Sequence, residues 1–172
     1  ALRYFAGKPN NTTPAPAPTG AFDYNETTDS GKVDASLKLP KPTWTYPFYV
    51  KDKNPGYSSS KCFTLTIGDL TPSFDTDQIP GSFFKNFTGD LDVKAEANAN
   101  IIWEGEPDDN ANKVKFIGQS GNVIDGAPTP KTVSGFGNIR GLAPEEPTKE
   151  GGFYSAASAF FGNTQGIGGK PG

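Results

Sequence analysis

The side chains best placed to do chemistry are the oxygen donors of Glu104-Gly105-Glu106-Pro107-Asp108-Asp109-Asn110-Ala111-Asn112, the densest acidic run in the chain. Oxygen ligands at alternate positions are what a hard cation such as Ca²⁺ requires, and Asp108, Asn110 and Asn112 fit the first three ligand positions of a calcium loop. Lys113 then stands where such a loop needs Gly, and Gln119 where it needs a bidentate Glu, so a solvated hairpin loop is the competing reading. Asp75, Asp77, Asp90 and Asp92 make a weaker second set. A carboxylate pair for glycoside hydrolysis is assembled in space, so spacing alone neither supports nor excludes one.

Other routes to catalysis narrow quickly. The 172 residues include no His and one Cys, which removes the commonest general base, a common metal ligand and the usual activator of a nucleophile. Cys62 has no mate for an intrachain disulfide and sits opposite the Phe63, Leu65 and Ile67 face, which reads as a structural thiol. Gly135-Phe136-Gly137 and Gly166-Ile167-Gly168-Gly169 lack the strand before and helix after that a nucleotide-binding turn needs, so they read as bends or a flexible tail. The expectation is a protein that is not an enzyme and carries no cofactor, with calcium as the one candidate ion.

Composition sets the frame for these side chains. With 34% hydrophobic and 12% aromatic residues the chain can fold, and its length suits a single domain. A net charge of -3, with Lys and Arg scattered, offers no basic face for a phosphate backbone, so nucleic acid is an unsuitable partner. No apolar run reaches the ~20 residues of a membrane span, and Ala1 opens no signal-like segment, so the chain reads as a mature product. Asn10, Asn11, Asn25 and Asn86 begin Asn-X-Ser/Thr triplets, glycosylation candidates that fit an exposed, extracellular surface.

The elements that would position these groups read as strands. Residues 1–30 form an extended N-terminal arm, with Leu2, Tyr4 and Phe5 ahead of a Pro-, Thr- and Asn-rich spacer that disfavours a helix. From 31 to 172 the pattern predicts one β domain. Apolar residues alternate over 33–39 and 44–50, again over 61–67, and most clearly over 91–103, where Leu91, Val93, Ala95, Ala97, Ala99, Ile101 and Trp103 take one side. Shorter candidates cover 113–117, 132–139 and 153–161, between Gly-Asn and Pro-Thr-Pro turns. The sum is an all-β, antiparallel sandwich or barrel of roughly seven or eight strands with no helix longer than two turns.

One family resemblance runs through residues 43–169. Gly151-Gly152-Phe153-Tyr154 followed by Ala159-Phe160-Phe161-Gly162-Asn163-Thr164-Gln165-Gly166-Ile167-Gly168-Gly169 resembles the signature of the transferrin-binding-protein-B-like β-barrel lipoproteins of Gram-negative bacteria. Phe83-Phe84-Lys85-Asn86-Phe87-Thr88-Gly89-Asp90-Leu91 and Thr43-Trp44-Thr45-Tyr46 are similar to two of that family's strands, in the same order. The resemblance implies an eight-stranded, lipid-tethered barrel that captures a host protein.

Two non-enzymatic functions follow as expectations. In the first, the chain is a secreted, cell-surface structural subunit of a filament, pilus or coat, and Leu2, Tyr4 and Phe5 pair with a neighbouring copy. In the alternative, it is a surface-anchored barrel lipoprotein that binds a host protein or ligand.

Overall fold

The computed structural model describes residues 1–6, 61, 63–67, 76, 79–86, 91–142 and 151–167. The chain divides into two compact units, Ala1–Leu65 with Gln165–Gly172, and Thr66–Thr164. In the first, Leu2–Phe5 (α1) is a single helical turn, so the start of the expected extended arm is helical instead. Leu2, Tyr4 and Phe5 are half-buried there, with the Tyr4 and Phe5 rings 5.6 Å apart. The rest of the arm, and the alternating segments at 33–39 and 44–50, lie outside the described residues.

The second unit contains Ala95–Glu104 (α2), Pro107–Ala111 (α3), Val114–Ser120 (β1), Val123–Thr132 (β2), Ile139–Arg140 (β3) and Tyr154–Thr164 (α4). The antiparallel expectation holds for the sheet, which has the order β2-β1-β3 with both pairings antiparallel, but among the described residues it does not close into a barrel. Gly121 takes a positive φ of 56° in the tight turn between β1 and β2, a conformation other residues reach only with strain. Pro128-Thr129-Pro130, expected as a turn, lies inside β2, which among the described residues is an edge strand, where a missing N–H breaks no pairing.

Two expected strands are helices. Of residues 91–103, those from 95 on belong to α2, and 153–161 fall largely in α4; at ten and eleven residues both helices exceed two turns. In α2 the buried residues are Ala95, Ala99 and Trp103, one residue every helical turn, while Ala97 and half of Ile101 face water. In α4 they are Tyr154, Ala157 and Phe161. The expected strand at 132–139 is divided: Thr132 ends β2, Ile139 opens β3, and the residues between make an irregular loop. Residues 63–67 belong to no strand, and Phe63, Leu65 and Ile67 are exposed.

The start of α2 explains its position. Lys94 adopts a left-handed conformation, and the Ala95 and Glu96 N–H groups, orphaned at a helix N-terminus, donate to the carbonyls of Pro80 (2.9 Å) and Gly81 (3.0 Å). Gly81 permits this approach, since a Cβ there would lie 2.5 Å from the Lys94 Cα. The core of this unit gathers Ala95, Ala99 and Trp103 of α2, Ile117 of β1, Val133 and Phe136 of the loop, Ile139 of β3, and Tyr154 and Ala157 of α4.

Candidate functional site

Around that core the polar side chains of four segments converge. The loop 133–138 lies flush on α2 because its glycines present no side chain: a Cβ on Gly135 would fall 2.2 Å from Asn100 Oδ1, and one on Gly137 would fall 2.4 Å from the Glu96 carbonyl oxygen. The Gly137 N–H donates to Asn100 Oδ1 at 2.8 Å. Gly135-Phe136-Gly137 is therefore a packing motif, and Phe136 between the glycines stacks on Phe153 (centroids 3.8 Å apart) and meets Trp103 edge-on (4.9 Å).

Tyr154, 2% exposed at the start of α4, ties this loop to the segment before α2. Its hydroxyl donates to the Gly137 carbonyl (2.7 Å) and accepts from the Phe83 N–H (2.9 Å). Burial pushes the phenol pKa above its ordinary 10.0, against a smaller opposing contribution from the Phe83 hydrogen bond. The neutral phenol therefore stabilises the fold below pH 10, and that contribution is lost as pH rises above 10. Replacing Tyr154 with Phe leaves the Phe83 N–H and the Gly137 carbonyl without this partner, and is expected to cost about 1–3 kcal/mol in urea unfolding at neutral pH.

Beside Tyr154, the Arg140 guanidinium on β3 sits 4.4 Å over the Phe84 ring, and its Nε donates to Gln119 Oε1 at 2.6 Å. This is an ordered polar lining without a nucleophile and base in contact. Among the described residues no three His, Cys, Asp or Glu stand together as a metal site.

The residues singled out from sequence are dispersed. Asp108 and Asn110 lie in α3, a helical turn. Asn112 caps that turn, and its Oδ1 accepts from the Val114 N–H at 3.4 Å. The backbone thus makes Asp108 and Asn110 part of a helical turn and leaves Asn112, at φ -99° and ψ 89°, just past its end. Asp92 is exposed and paired with Lys94 at 3.0 Å, a surface contact of little energetic weight. Asn86 is exposed, as a glycosylation candidate would be; Asn10, Asn11, Asn25, Cys62, Asp75, Asp77 and Asp90 lie outside the described residues.

Sequence reasoning missed Lys131. It is 5% exposed on β2, and its ammonium contacts Asp125 Oδ1 at 2.9 Å. Hydrogen bonds from Thr129 and Lys131 hold the Asp125 carboxyl below its ordinary 3.8, at about 2. A depressed carboxyl stabilises the fold above pH 3.8, and that contribution is lost as pH falls through 2. Wild type is expected to melt above Asp125→Asn at neutral pH, with the gap closing between about pH 4 and pH 2 in a melting series. The sequence carries no signal for it: Lys131 follows Pro128-Thr129-Pro130, which reads as a turn, and nothing there marks a buried side chain.

The same hairpin leaves Val114, Phe116, Val123 and Ile124 exposed, each more than half accessible. Among the described residues no helix is long and apolar enough to cross a membrane.

Comparison with known proteins identifies a family. No solved structure matches the chain. A type IV pilus biogenesis factor PilY1 homolog of Xylella fastidiosa (strain Temecula1) is 42% identical over 179 residues, a match that takes in 98% of this chain and 11% of that protein. The chain thus spans about one-ninth of the relative's length. The family model described as PilY1 homolog, second domain, matches residues 1–162, and the chain belongs to that family.

Proposed function

We propose that this chain is a non-enzymatic module of a type IV pilus biogenesis factor, acting at the cell envelope or surface through contacts with other proteins of the pilus system. The observation that carries the reading is the family match over residues 1–162, joined by 42% identity to a protein named for pilus biogenesis. The β1–β2 hairpin supports it, because exposed apolar side chains on one supersecondary unit are what protein partners cover. The site around Tyr154 and Arg140 acts in this reading as a scaffold that fixes the sheet against α2 and α4.

The test is an in-frame deletion of the sequence encoding this chain, in the organism that makes it, with surface pili counted by electron microscopy. Loss of pili while the pilin pool stays normal is the expected outcome, and unchanged piliation overturns the proposal. A finer reading, in which copies of the chain assemble through Leu2, Tyr4 and Phe5, predicts an oligomer on size-exclusion chromatography that deletion of residues 1–8 converts to a monomer. A monomeric intact chain sinks that finer reading and leaves the coarser one standing.

A further inference from the structure

The buried amine of Lys131 has more oxygen around it than an ion pair requires. Nζ lies 2.7 Å from the Ile117 carbonyl oxygen, 2.7 Å from Thr129 Oγ1, 2.9 Å from Asp125 Oδ1 and 3.3 Å from the Ala127 carbonyl oxygen. An ammonium has three N–H donors, so the three short contacts use them and the long one shares.

Every oxygen is turned to present electron density inward. Thr129 Oγ1 spends its own proton on Asp125 Oδ2 at 2.5 Å, and the Ala127 N–H donates to Asp125 Oδ1 at 3.2 Å, which keeps the carboxylate facing Nζ.

The backbone is bent to make this arrangement. Ile117 pairs with Thr129 and Gln119 with Ile124, so residues 125–128 form an excursion from the ladder opposite Gly118. Such a detour forgoes strand pairing, and inside it the Ala127 carbonyl finds a partner in the Lys131 ammonium. Lys115 is the cross-strand neighbour of Lys131, and like charges so placed repel.

We propose that Ile117 O, Asp125 Oδ1, Ala127 O and Thr129 Oγ1 form a monovalent-cation site whose resident ion is the chain's own Lys131 ammonium, and which takes free ammonium or methylammonium when that side chain is shortened. The distances decide the class of ion. Ca²⁺ draws oxygen to 2.3–2.6 Å and demands six or more ligands, whereas this ring of four, at 2.7 to 3.3 Å, is too wide and too sparse for it. Carrying the cation on a side chain makes the hairpin independent of ion supply.

The test uses the intact chain and its Lys131→Ala variant, melted in methylammonium chloride and in tetramethylammonium chloride at equal ionic strength. The variant is expected to melt lower than wild type, to recover at least half of the loss in methylammonium, and to recover none in the tetramethyl salt, whose ion is too large and has no N–H. Wild type should not distinguish the salts. Equal behaviour of the variant in both, or an unchanged melting temperature, overturns the proposal.

Should the variant fail to fold, the wild-type protein decides by acetylation with acetic anhydride and peptide mass spectrometry. Lys131, reachable only on local opening, is expected to react on the order of tenfold more slowly than Lys94, whose side chain is 65% exposed. Equal rates overturn the proposal.

Discussion

Trp103→Ala is expected to produce a large loss of stability, about 3–5 kcal/mol, because it removes an indole that is 4% exposed and leaves a cavity ringed by parts that cannot close on it. One wall is Phe136, edge-on at 4.9 Å and itself stacked on Phe153, and another is α2, anchored at its N-terminus by the Pro80 and Gly81 carbonyls. At roughly 2–4 °C per kcal/mol for a chain of this size, the melting temperature should fall by about 6–20 °C. A loss under about 1 kcal/mol in urea unfolding would show that α2 does not dock through this side chain. Trp103→Phe keeps an aromatic edge against Phe136 and should recover part of the loss.

Gly137→Ala is the second large effect, and it comes from adding one methyl group. The new Cβ would meet the Glu96 carbonyl at 2.4 Å, a backbone atom that cannot swing aside, so the loop must lift from α2. Lifting it strains two further bonds, from the Gly137 N–H to Asn100 and from Tyr154 to the Gly137 carbonyl. Overpacking of this kind costs about 1–3 kcal/mol, and the coupled bonds place the expected value at the upper end. Gly105→Ala is the control: Gly105 has φ of -79° and a Cβ there would meet Ile102 O at 3.3 Å, so a change within about 0.5 kcal/mol is expected. Equal effects at the two glycines would show that Gly137 is chosen for flexibility and not for contact.

The sequence was misread at 91–103 for a definite reason. A helical stripe at every fourth residue is contained in an alternation at every second one, so Ala95, Ala99 and Trp103 satisfy both patterns. Only Ala97 and Ile101 separate them within α2, and the structure leaves both exposed, the second by 49%. An exposed Ala costs nothing in a helix, and Ala and Glu carry high helix propensity, which here outweighs the alternation. The N-terminal anchor of α2 is supplied by Pro80 and Gly81, a long-range contact that no local pattern reports. At 153–161 the small residues Ser155, Ala156, Ala157 and Ser158 dilute either period.

What was legible was the first strand of the hairpin and its turn. Lys113 to Ile117 read as a strand with a Gly-Asn turn after it, because turn chemistry is local, but β2 was hidden behind Pro128-Thr129-Pro130, which reads as a turn and is tolerated in a strand only at a sheet edge. The candidate calcium residues were chosen by spacing alone, and Pro107, favoured in the first turn of a helix, carried the opposite signal. Tyr154 and Arg140 were invisible as a pair of anchors because each finds its partners across long sequence separations, Phe83 and Gln119 among them.

The composition of β2 also bears on how this protein behaves when crowded. An edge strand with a free row of N–H and C=O groups is a template on which further copies can stack into cross-β fibres. Among the described residues β2 is such an edge, and there Pro128 and Pro130 remove two donors and the excursion at 125–128 breaks the straight run, so β2 leaves no stretch of six regular residues for another strand to copy. Through β2, then, this sheet does not propagate from one molecule to the next, even when the protein is crowded.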